Sequence, residues 1–77
     1  MQIKFFLPVN GYKSEIAEAN LANDLDGWIQ RRFGSAIRRE ITEDFTMTNT
    51  PDWFVVDFPD EEHGWTFLRI FGGRIVE

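Results

Sequence analysis

Two runs near the C-terminal end constrain this chain most: Trp53-Phe54-Val55-Val56-Asp57-Phe58 and Trp65-Thr66-Phe67-Leu68-Arg69-Ile70-Phe71. Each carries large apolar side chains at odd and even positions alike. An extended strand presents successive residues to opposite faces, so two such strands form a hairpin that is apolar on both sides. With an even loop, one face holds Trp53, Val55, Leu68 and Ile70. The other then holds Phe54, Val56, Phe58, Trp65, Phe67 and Phe71. An odd loop regroups these residues but still leaves at least four large apolar side chains per face.

The rest of the chain supplies the partners. Ile3, Phe5 and Leu7 alternate with Gln2, Lys4 and Phe6, which reads as a first strand. Pro8 and Asn10-Gly11 end it as a turn. A helix is expected from about Ser14 to Phe33, with Ser14 as N-cap and Glu15 and Glu18 in its first turn. Ile16, Leu21, Leu25, Trp28, Ile29 and Phe33 form its apolar stripe, and Gly34 is the expected C′ residue. Gly27 either permits close packing on the sheet or marks a break between two shorter helices. A second strand is expected from about Ile37 to Thr48, with Arg38, Glu40, Thr42, Asp44 and Thr46 on a fully polar face. Asn49-Thr50-Pro51-Asp52 makes the next turn, followed by the two apolar strands. After the Gly72-Gly73 bend, Arg74–Glu77 adds a short fifth strand or trails.

The expected fold is therefore α+β, a single domain over residues 1–77. Its order is β-α-β-β-β, with one helix packed on one face of a three- to five-stranded, mainly antiparallel sheet. The first crossover is expected to be right-handed. One helix covers one sheet face, so the aromatic side chains of the other face are left in water. Burying each is worth roughly 1.5–3 kcal/mol, a strong drive to associate. The alternative is that twist and long side chains hide the rings within the monomer.

Charge and composition narrow the classes. A chain this short has a marginal core, which twelve aromatic residues help to fill. Residues 1–39 hold six basic and four acidic side chains, whereas residues 40–77 hold two basic against nine acidic. A net charge of −5 disfavours direct nucleic-acid binding, which needs clustered Lys and Arg. It suits steering toward a protein with a basic surface. Glu40, Glu43 and Asp44, with Asp57, Asp60, Glu61 and Glu62, are the expected partner-facing carboxylates. Trp53, Trp65 and Phe67 are the expected aromatic contacts. The plain alternative is that these charges only keep an aromatic-rich protein soluble.

Other chemistries lack raw material. There is no Cys, one His and two Ser, so neither a disulfide framework nor a nucleophilic triad is expected. The turn carboxylates match no metal-ligand loop, and Asn23-Asp24-Leu25-Asp26-Gly27 fails the calcium pattern, whose twelfth position would be Phe33. No metal or cofactor is expected, and no enzymatic activity. No apolar run spans a bilayer and no signal peptide is read, so a cytoplasmic location is expected. Arg31, Arg32, Arg38 and Arg39 are more simply helix-end and ion-pairing residues than a single-strand nucleic-acid platform.

The reading reached is a small acidic non-enzymatic protein-binding domain, most simply an inhibitor of a nucleic-acid-handling complex. It would be of phage or mobile-element type, anti-CRISPR-like or DNA-mimicking. The alternatives are a homodimer built on the aromatic sheet face, and a single-stranded nucleic-acid binder.

Overall fold

Alternation of apolar and polar side chains sets the sheet. A computed structural model describes residues 1–7 and 9–76, with backbone alone for residues 9–11. The turn role expected of Pro8 and the strand end at Glu77 lie outside the described residues. β1 (Gln2–Phe6), β2 (Thr46–Asn49), β3 (Trp53–Asp57) and β4 (Arg74–Ile75) form one sheet in the order β2-β3-β1-β4. Every neighbouring pair is antiparallel, with Phe5 opposite Phe54 and Ile3 opposite Val56. The α+β class and the antiparallel sheet are as expected. So are the β2–β3 connection through Thr50–Asp52 and the short strand after Gly72-Gly73. Thr50 organises that turn, its hydroxyl accepting from the Trp53 N–H at 3.0 Å.

The helices differ from the reading in three places. The first helix, α1 (Val9–Leu21), begins earlier than Ser14, so Asn10-Gly11 is helical rather than a turn. It also ends earlier than Phe33. Asp24 N–H bonds back to the Ala19 carbonyl and Asn23 N–H to that of Asn20, while Asn23 takes φ 55°. That is a Schellman end with Asn in the left-handed position that ordinary residues avoid.

After this break α2 (Leu25–Ile29), a π-helical turn (Gln30–Gly34) and α3 (Ser35–Glu40) run end to end. Gly34 is therefore inside a helix and not its C′ residue, and residues 37–40 are helical rather than extended. Burial explains the continuation. Ile29, Phe33 and Ile37 are spaced four apart and all buried. In a regular α-helix such residues drift about 40° per step; the wider π turn offsets the drift and keeps the three in line. Gly27 sits inside α2, where a Cβ would meet the Asp24 carboxylate and lie 3.0 Å from the Arg31 guanidinium.

The largest correction concerns residues 65–71. They are not a strand. Glu61–Ile70 is helix α4, so the order is β-α-β-β-α-β, the connectivity of the split β-α-β arrangement. Its start is well marked. Asp60 adopts an extended conformation, and its side chain accepts from the His63 N–H at 3.0 Å. Glu61 and Glu62 follow in the first turn, where the helix dipole favours them. Gly72, at φ 91°, ends it. Gly64 and Phe67 are buried, and Leu68 and Phe71 pack against the core.

All the core rings therefore meet on one side of the sheet. The Phe54 ring lies 5.1 Å from Phe5, 5.2 Å from Phe33 and 6.3 Å from Phe67, and Phe67 lies 5.9 Å from Phe58. Helical segments from two parts of the chain, residues 9–40 and 61–70, cover this face in place of one helix. Most of the aromatic surface that a hairpin would have left in water is hidden. The opposite face is formed by Gln2, Lys4, Phe6, Thr46, Thr48, Trp53, Val55, Asp57 and Arg74, by alternation and register.

Candidate functional site

The expected carboxylates come from two segments distant in sequence, and the fold lays them side by side. β3 ends at Asp57 and runs through Phe58-Pro59 into Asp60, Glu61 and Glu62. α3 ends at Glu40, and its connector carries Glu43 and Asp44 into β2. Thr46 pairs with Asp57. The Phe45 and Phe58 rings lie 6.2 Å apart, buttressing the two connectors from below. A shallow depression of about 340 Å³ between them is lined by Asp44, Phe45, Thr46, Asp57 and Pro59. By chain connectivity the seven carboxylates lie on the segments that meet the sheet where β2 begins and β3 ends, with Asp44 and Asp57 brought to one depression.

Local partners engage three of them. Asp57 lies 3.7 Å from the Met1 ammonium, Glu40 is 3.2 Å from Arg39, and Asp60 Oδ2 is 2.9 Å from His63 Nδ1. Among the described residues no ion pair engages Glu43, Asp44, Glu61 or Glu62. The exposed side of this end is therefore strongly negative.

The three aromatic candidates separate. Trp53 lies on the open sheet face, where the Lys4 Nζ sits 4.0 Å from its ring centroid. Trp65 is 55 % exposed on α4. Phe67 is fully buried beneath the sheet and so contacts no partner in this fold. The expected single adhesive face uniting all three does not form, because residues 65–67 are helical.

The four arginines lie on the helical side and are locally engaged. Arg31 bonds to Asp24 at 2.9 Å, Arg38 to Gln30 at 2.7 Å, and Arg32 to the Tyr12 hydroxyl. Arg39 pairs with Glu40.

Phe6 is the exposed residue that the hairpin argument overlooked. It is 55 % exposed and pairs with Trp53 across β1 and β3, with ring centroids 6.4 Å apart. Its place on the open face was readable from the β1 alternation. A cleft of about 480 Å³ opens beside it, walled by Phe6, Leu7, Ile16, Ala17 and Pro51, with Lys13, Asn20 and Asp52 also lining it. That cleft needs α1 and the β2–β3 turn brought together, which no local pattern announces.

Among the described residues no group of three His, Asp or Glu side chains converges to hold a metal ion, and no helix is long and apolar enough to cross a membrane. Comparison with family models, curated proteins and solved structures finds no match. The functional reading therefore rests on the geometry alone.

Proposed function

We propose that this is a non-enzymatic protein-binding domain that docks its acidic end on a basic partner surface. The observation that carries the reading is the placement of Asp57, Asp60, Glu61 and Glu62 with Glu40, Glu43 and Asp44 on the two connectors at one end of the sheet, where Asp44 and Asp57 line one depression. Four of these have no ion-pair partner among the described residues. Holding like charges together disfavours the isolated fold, and a basic partner relieves the repulsion and is steered toward it. A basic groove that normally holds phosphates offers the matching field. The reading extends to a partner that handles nucleic acid, with this end standing in for the phosphate backbone, as a mobile-element inhibitor of anti-CRISPR type would do.

The test uses a variant with Glu43→Gln, Asp44→Asn, Glu61→Gln and Glu62→Gln, all at exposed positions. Partners captured from lysate by the parent protein are identified, and their association rate is measured against salt. The variant should associate at least about tenfold more slowly at low salt, and the parent should compete with duplex DNA for the captured partner. An unchanged rate, or no competition, removes the reading.

Two-fold association through the open sheet face is the second reading, favoured by the exposure of Phe6. Strands of five, four, five and two residues present about 250 Å² in projection. Stable interfaces bury about 800 Å² per partner, so this face alone is too small. Light scattering that finds a dimer at micromolar concentration overturns that conclusion.

A further inference from the structure

We propose that the open face of the sheet binds single-stranded nucleic acid, stacking bases on Phe6 and Trp53 and meeting phosphates with Lys4 and Arg74. The proposal uses residues other than the seven carboxylates and does not depend on the reading above.

Three observations converge on this face. Phe6 and Trp53 are cross-strand partners on the two central strands, so their rings lie side by side on the face that the helices do not cover, 6.4 Å apart and inclined at 59°, with Phe6 exposed and Trp53 half-buried. Lys4 and Arg74 are likewise partners, across β1 and β4. Lys4 puts one cation on the rings, its Nζ 4.0 Å from the Trp53 centroid and 5.2 Å from that of Phe6, and Arg74 holds a second cation one strand further out. Exposed Thr46 and Thr48 add hydroxyls along the outer strand of the same face.

Charge selects the occupant. A basic protein is repelled by Lys4 and Arg74 and attracted to the other end. A single strand brings what this face lacks: anionic groups for the cations and π-faces for the rings. Duplex DNA keeps its bases stacked inside and offers the rings nothing. The Lys4 ammonium moves from the ring face to a phosphate as a base replaces it. The cleft beside Phe6, lined in part by Lys13, Asn20 and Asp52, continues the surface for a neighbouring nucleotide.

The net charge of −5 does not prevent this. The carboxylate on the same face, Asp57, lies near the Met1 ammonium at 3.7 Å. It stands about 13 Å along the strand from Trp53 but only two residues, about 7 Å, from Val55, the partner of Lys4. That is inside the screening length of about 8 Å at physiological salt, so the Met1 ammonium, not distance, offsets its charge at Lys4.

The experiment titrates the full chain into labelled ten-nucleotide oligodeoxythymidine and oligouridine, read by fluorescence anisotropy. Binding should be modest, with dissociation constants of roughly 10⁻⁴ to 10⁻⁶ M, and its log–log salt slope no steeper than about −1.4, the value for two cations on a single strand. Phe6→Ala should weaken it at least about fivefold. The double variant Lys4→Gln/Arg74→Gln should remove most of the salt dependence. Both sets of positions are solvent-accessible, and thermal melts confirm folding. The neutralised acidic-end variant should keep or improve oligonucleotide binding while losing its protein partner, so the two proposals fail separately. No binding at about 1 mM protein overturns this one. So does binding that survives the Phe6, Lys4 and Arg74 changes, or that is lost only when Arg31 and Arg38 are replaced.

Discussion

Replacing Phe67 by Ala, with Trp65→Ala as its companion, tests the conversion of residues 61–70 from expected strand to helix. On a strand, Trp65 and Phe67 share a face and both substitutions should cost similar amounts. On α4 they diverge: Phe67 is fully buried, whereas Trp65 is 55 % exposed. The Phe67 ring touches four others, at centroid distances of 4.9 Å to Phe71, 5.9 Å to Phe58, 6.2 Å to Phe5 and 6.3 Å to Phe54. Truncating a ring so enclosed costs about 3–5 kcal/mol, transfer and cavity together. A chain of 77 residues has a total stability of about 4–12 kcal/mol. The unfolding entropy at this length is about 0.16 kcal/mol/K, so the melting temperature should fall by about 20–30 °C. Trp65→Ala should cost about 1 kcal/mol or less, a shift of about 6 °C. Urea unfolding followed by circular dichroism, with calorimetry for the midpoint, measures both. Equal losses, or a larger loss from Trp65→Ala, would refute the packing described for α4.

Two further predictions concern the ends of that helix and the strand it leads to. Asp60→Ala removes the acceptor for the His63 N–H and should lower stability by about 1 kcal/mol in urea denaturation, whereas Asp60→Asn should restore most of it. Gly73 has φ 106°, and a Cβ there would sit 2.8 Å from the Lys4 carbonyl oxygen. Gly73→Ala should therefore strain the backbone by about 1–3 kcal/mol and loosen β4. Hydrogen exchange should quicken first at the Val76 amide, which bonds to the Gln2 carbonyl at 2.8 Å; unchanged exchange there would show that the bend is free to rearrange.

Much of the sheet was legible: β1 alternates, and β3 is a short β-branched and aromatic run bounded by turn residues. Ile3, Phe5 and Leu7 set β1. Phe54, Val56 and Phe58 set β3, and Pro51 with its polar neighbours set the turn before it. The acidic end was legible as a list of residues but not as a place. Asp44 and Asp57 come to line one depression only when β2 pairs with β3. Two helix signals stood in the sequence unread: Asp60 followed by Glu61 and Glu62, with Gly72 beyond, and Asn23 after a helical run. Both are capping signals; the apolar run of residues 65–71, read as a strand, outweighs the first, and the helical stripe continuing from Leu21 to Phe33 outweighs the second.

Patterning by itself settled the α+β class, the existence of β1 and β3, and the concentration of negative charge after residue 39, whereas the pairing of β1 with β3 came from the tertiary structure. Tertiary structure alone settled the state of Ser35–Glu40 and Glu61–Ile70. In so short a segment, apolar residues can satisfy a period of two and a period of 3.6 equally well. What separates them is the surface available to bury each stripe. As helices, Ile37 and Phe67 reach the ring cluster under the sheet; as strands they would have widened a face with nothing to cover it.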